Sequence, residues 1–146
     1  MPSRLVVAKE LAEVFKVLAH RDRIRIVEIL RVREFDVNSI SDELDLPATR
    51  ISQHLSLMRA HRLVEERRDG RHVYYSLAQP DLAHWIVDGL QFVEARAAAD
   101  QIKPQTVDEV RKLWVSETLT TDSPTAAPES GVADPALPNT QTGPSK

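Results

Sequence analysis

The chain has no cysteine among its 146 residues, which excludes disulfides, thiolate metal centres and a cysteine nucleophile. No run approaches the roughly 18 to 20 consecutive apolar residues needed to cross a bilayer, and the opening "MPSRLVVAKE" lacks the long apolar stretch of a secretion signal. A cytoplasmic protein without a membrane partner is expected. Glycine is scarce, at four in the whole chain, and none sits in a loop built to cradle phosphate. No paired-carboxylate setting stands out, and His54 lies beside Ser52 and Ser56 on a helical pattern rather than in a pocket with an oriented base. An enzyme is therefore not expected.

What is present suits one small domain, because a chain with 42% hydrophobic and 28% charged residues can bury a core. That domain is expected over residues 1–117. From Thr118 the composition turns to "TLTTDSPTAAPESGVADPALPNTQTGPSK", whose few large apolar side chains cannot offset the entropy of ordering it. Residues 118–146 are read as a disordered tail. No internal repeat is evident.

"SRLVVAKELAEVFKVLA" begins with Ser3, a good N-cap, and sets Leu11, Val14, Phe15 and Leu18 on one side of a helix. In "RDRIRIVEILRV" Ile24, Val27 and Leu30 recur every three residues, and Ile26 and Ile29 widen that stripe. Asn38 or Ser39 is placed to cap a short helix ending at Leu44, with Ser39 and Asp42 spaced as in a capping box. Asp45 tolerates a left-handed turn, and Pro47 begins a further helix where a missing N–H costs least. There Ile51, Leu55 and Met58 share one side and leave Thr49, Arg50, Ser52, Gln53 and His54 free. Two short helices joined by such a turn make a helix-turn-helix.

Downstream, "LVEERRDGRHVYYSL" alternates around Asp69-Gly70, the pair favoured where both central residues need positive φ. A two-residue loop there would face Arg68 with Arg71, Glu66 with Val73 and Val64 with Tyr75. Val64, Val73, Tyr75 and Leu77 then share the core side, and the tip carries Arg67, Arg68 and Arg71, as in a wing. Residues 50–71 hold arginines at 50, 59, 62, 67, 68 and 71 against Glu65, Glu66 and Asp69, a basic segment in a chain of net charge -3. A locally basic face calls for an anionic partner, since attraction acts over about a Debye length, roughly 8 to 10 Å in physiological salt.

Three stretches, "VFKVLAHRDRIRIVEIL", "ISDELDLPATRISQHLSLMRAHRLVEERRDGRHVYYSL" and the helix that follows, resemble an ArsR-type winged helix-turn-helix transcriptional regulator over roughly residues 5–98. The match rests on Ile-Ser-x-His-Leu with a later Leu-Val, and on the "RRDGRHVYYSL" wing. It departs at Arg21, where the family often has Pro, and at Asp45 and Arg62, where it often has Gly. The resemblance implies a mainly α fold with a small β-hairpin, a homodimer, and a sequence-specific regulator, usually a repressor, on an inverted repeat of double-stranded DNA. The recognition positions it transfers are Ala48, Thr49, Arg50, Ser52, Gln53 and His54, with Arg67, Arg68 and Arg71 on the sugar-phosphate backbone or the minor groove. The family's first and last helices form its dimer interface, which here points to Leu11, Phe15, Leu18, Trp85, Ile86, Gly89, Phe92 and Val93.

The family's thiolate site falls on "DVNSIS", where Asp36, Asn38 and Ser41 stand in place of cysteines, so soft-metal sensing there is absent. Its Asp-x-His site is met only by Asp81 and His84, one residue too far apart, and no histidine follows His84. No metal and no cofactor are expected. His20, His61 and His72 read as isolated surface or wing residues, and no pattern names an effector. The competing class is a winged-helix protein-interaction module without DNA binding, whose arginines would meet a partner's acids. Salt-dependent duplex binding separates the two.

Overall fold

A computed structural model describes residues 2–100 and 104–119. Helix α1 (Pro2–Leu18) leads into α2 (Arg21–Leu30), β1 (Phe35–Asp36), α3 (Val37–Leu44), α4 (Ala48–Ala60), β2 (Val64–Asp69), β3 (His72–Leu77), α5 (Asp81–Asp100) and α6 (Pro104–Leu119). The strands form one antiparallel sheet in the order β1-β3-β2. The winged helix-turn-helix is present, as expected. The short strand β1 was not expected, and it pairs Phe35 with Tyr75 and Asp36 with Tyr74. Helix α6 carries the chain to Leu119, two residues into the segment assigned to a tail, and residues 120–146 lie outside the described residues.

Several local expectations change for identifiable reasons. Ser3 lies inside α1 rather than capping it. The cap of α3 is Asp36, whose Oδ1 accepts the Ser39 N–H at 2.7 Å, so neither Asn38 nor Ser39 holds that end. That bond, made to the charged form, lowers the Asp36 carboxyl below its ordinary range. His20 caps α2 by accepting the Asp22 N–H on Nδ1 at 3.2 Å. Pro47 caps α4 from just outside it, with no side-chain bond.

Helices α3 and α4 end in the same way. Leu46 N–H reaches Ser41 O and Asp45 N–H reaches Asp42 O; likewise Leu63 N–H reaches Met58 O and Arg62 N–H reaches Arg59 O. This is the paired closure usually completed by a left-handed glycine. Here Asp45 (φ 51) and Arg62 (φ 58) adopt that conformation, which costs a residue with a Cβ about 1–2 kcal/mol.

The wing keeps its faces but shifts its register. Val64 pairs with Leu77, Glu66 with Tyr75, Arg68 with Val73 and Asp69 with His72, so Gly70 and Arg71 form the loop. Of these only Gly70 has positive φ, at 59, which replaces the expected pair of positive-φ residues at Asp69-Gly70. Each partner moves by two residues relative to the expectation. Because side chains alternate with period two, Val64 and Leu77 still face inward and are buried.

The core gathers Ile26, Val27 and Leu30 of α2, Ile40 and Leu44 of α3, and Ile51, Leu55 and Met58 of α4, with Val64, Leu77 and Ala83. Ile24 does not join it and is exposed, because Ile26 takes the inward position. Helix α6 closes one side. Trp114 is buried there against the Arg31 guanidinium, 5.0 Å from the ring centroid, while Arg31 donates to the Leu113 and Trp114 carbonyls at 3.3 and 3.4 Å.

Asp36→Ala should cost about 1 kcal/mol in urea unfolding, the usual worth of an N-cap, with Ser39→Ala much closer to neutral. Arg62→Gly should raise the unfolding midpoint by relieving left-handed backbone.

Candidate nucleic-acid interface

Helix α4 sorts its side chains by rotation about its axis. Ile51, Leu55 and Met58 are fully buried, which turns Thr49, Arg50, Ser52, Gln53 and Ser56 to solvent. Ala48 is half-buried at the first turn. His54 does not join the outward set as expected: its side chain is only 11% exposed and turns toward α2.

There it meets three groups. Its ring centroid lies 4.7 Å from that of His20 with the planes tilted by 53°, its Nε2 lies 3.7 Å from Asp22 Oδ2, and its Nδ1 lies 3.5 Å from Arg23 Nη1. Arg23 also donates through Nε to the Val17 carbonyl. Burial first, then His20 and Arg23, hold the His54 imidazole below its ordinary range against the opposing pull of Asp22. His20 is thus neither isolated nor merely superficial, and Asp22 is a buried carboxylate that sequence reading passed over. Position 22 signals only an acid in a first helical turn; its nearness to position 54 comes from packing.

The wing arginines differ in what they already hold. Arg67 donates to both Glu34 carboxylate oxygens, Nε to Oε2 at 3.0 Å and Nη2 to Oε1, and its guanidinium lies 5.0 Å from the Tyr74 ring centroid. These bonds lower the Glu34 carboxyl below its ordinary range and raise Arg67 above its own. Arg68 stands 3.8 Å from Glu66, which also pairs with Arg59. Arg71, at the loop, is exposed and has no ion pair among the described residues. Glu34, just before β1, thus braces the wing.

A second surface lies on α1 and α5. Leu11, Phe15, Trp85, Phe92 and Val93 are exposed, as are Leu5, Val6 and Val7, and the Phe15 and Trp85 rings meet at 5.3 Å. Ile86 and Gly89 are half-buried beside them. Leu18 departs from the expected interface because it is 6% exposed and belongs to the subunit's own core.

Residues 20–66 match the model of the family described as "Bacterial regulatory protein, arsR family". The chain is 39% identical over 92 residues to the HTH-type transcriptional regulator Rv0081 of Mycobacterium tuberculosis, covering 62% of this chain and 80% of that one. The chain belongs to the ArsR family. Its backbone also matches the crystal structure of Rv0081 with a TM-score of 0.56 at 38% identity, over 65% of this chain and 95% of that chain. A second regulator from the same organism, KmtR, is 36% identical over 53% of this chain and 60% of its own length. The homodimeric winged helix-turn-helix DNA-binding domain of Mb0332 from Mycobacterium bovis, solved by NMR, aligns with a TM-score of 0.55 at 28% identity, over 68% of this chain and 91% of that one. The names of these relatives describe transcriptional regulators, none of them an enzyme. Among the described residues of this family member, no helix is long and apolar enough to cross a membrane.

Glu34→Gln should leave the unfolding midpoint nearly unchanged, because the pair is exposed. It should still speed amide hydrogen exchange at the β2–β3 tip. In the parent chain the same loosening should appear only as pH falls through the lowered Glu34 pKa, since a depressed carboxyl keeps its contribution above the ordinary glutamate range.

Proposed function

We propose that this ArsR-family protein is a sequence-specific DNA-binding regulator, acting as a homodimer on an inverted repeat, with repression as its outcome. The observation that carries this reading is the exposed polar front of α4: Thr49, Arg50, Ser52 and Gln53 stand clear on a helix whose opposite side is locked in the core. A helix fits the major groove, and these side-chain types suit base edges there. Arg50 pairs with guanine in two-pronged fashion, Gln53 addresses adenine, and Thr49 and Ser52 serve base or phosphate. Ala48 brings the backbone close, and His54 holds α4 to α2 instead of reading a base.

On the wing, Arg71 is the principal phosphate contact, Arg68 a second, and Arg67 chiefly a strut. The exposed apolar residues of α1 and α5 support pairing of two copies, since a monomer rarely leaves so continuous an apolar face in water. The homodimeric relative from M. bovis agrees with that pairing. Two α4 fronts related by a twofold axis would read two half-sites. The domain is proposed to extend through α6 to Leu119, two residues past the boundary expected at 117.

Fluorescence anisotropy with duplex from the gene's own upstream region, at two salt concentrations, tests the proposal. Salt-dependent binding supports it, and its absence would favour a protein-interaction module. Arg50→Ala should relax preference at one base position by about 1–3 kcal/mol, whereas Arg71→Ala should weaken all sequences evenly and lower the salt slope by about one. Equal loss in both respects would contradict the division of roles. Phe92→Glu should yield monomers in sedimentation with unchanged helical circular dichroism.

A further inference from the structure

We propose that His20, Asp22 and His54 form a binding site for one late first-row transition-metal ion, of which Zn2+ is the natural example, at the junction of α2 with α4. One ligand atom from each residue lies within 4.8 Å of the other two. Asp22 Oδ2 faces both rings, 3.9 Å from His20 Nδ1 and 3.7 Å from His54 Nε2. Tetrahedral zinc with bonds of about 2.0–2.1 Å holds its ligand atoms roughly 3.3–3.4 Å apart, so closure needs about half an ångström or less along these two edges, and the two rings, up to 4.8 Å apart at their ligand atoms, must draw together by up to about 1.4 Å.

An independent observation makes the cluster more than a coincidence of residue types. His54 Nε2 is a buried polar atom without a hydrogen-bond partner among the described residues, and it points at a carboxylate that is itself 92% buried by its 8% side-chain exposure. Leaving such a donor or acceptor unmade costs on the order of 1–3 kcal/mol, and a cation between ring and carboxylate removes that cost. Two imidazoles and one carboxylate suit zinc, cobalt or nickel, whereas calcium and magnesium prefer all-oxygen shells. His20, with a side chain 37% exposed, leaves the fourth position open to water.

The neighbouring groups oppose tight binding. His20 Nδ1 already accepts the Asp22 N–H, so ligation through that atom gives up a helix cap. Arg23 faces His54 Nδ1, which must carry the proton when Nε2 holds a metal, so its guanidinium has to turn aside. Arg21, 3.3 Å from Asp22 Oδ1, and Arg50, close enough to act on His54, add positive charge. The site therefore binds modestly and reversibly. It is separate from both family positions that this sequence lacks, and it stands whether or not α4 reads DNA.

Cobalt titration of the untagged full chain, stripped with chelator, tests the site without DNA. The expected result is visible d–d absorption saturating at one equivalent per chain and cleared by Zn2+. His20→Asn, whose side chain still caps α2, and His54→Asn should each weaken binding at least tenfold, while a variant with His61, His72 and His84 all changed to Gln should retain it. Should His54→Asn fail to fold, His20→Asn decides alone. No absorption by the parent chain, absorption that survives His20→Asn at full affinity, or absorption lost only in the three-histidine variant overturns the proposal.

Discussion

Burial of Ile51, Leu55 and Met58 against α2 and α3 fixes the rotation of α4, and the outward residues follow from that rotation. A helix turns about 100° per residue, so a stripe at 51, 55 and 58 leaves 49, 52, 53 and 56 on the opposite side. Each of the three inward side chains is fully buried, and replacing one by Ala would remove several kcal/mol of packing. No comparable energy resists changes on the outward side. The outward residues of α4 can thus vary while the scaffold that aims them stays constant.

The polar contacts add direction to this apolar lock. His54, at the edge of the buried stripe, brings α4 against Asp22 and Arg23 at the start of α2, so a shift of either helix disturbs a partly desolvated cluster. The wing is aimed in a similar way from the other side, where Glu34 holds Arg67 against β3. An arginine already paired to an acid offers less to phosphate than a free one. Equal-looking arginines at 67, 68 and 71 are therefore unequal in what they can contribute.

Helix α6 bears on the same framework from behind. Its Trp114 rests on Arg31 at the end of α2, and Arg111 pairs with Glu94 of α5. One face of α5 is thereby covered within the subunit while Trp85, Phe92 and Val93 remain outside. The apolar residues of α5 thus divide between those covered within the subunit and those left for the proposed second copy.

The sequence by itself determined helices α1 to α5, the turn between α3 and α4, the wing and its inward face, because these follow from periodicity and backbone preference, which are local properties. Asp45 and Arg62 take the left-handed turns that their positions implied. Tertiary structure decided the strand β1, the cap at Asp36, the two-residue shift of the wing's pairing, the burial of Leu18 and the inward turn of His54. Each depends on partners far away in the chain: β1 exists only because β3 offers it a free edge, and Arg67 is tied up only because Glu34 lies beneath it. Residue spacing encodes which face a side chain occupies. What that face touches is set only when elements from distant parts of the chain pack together.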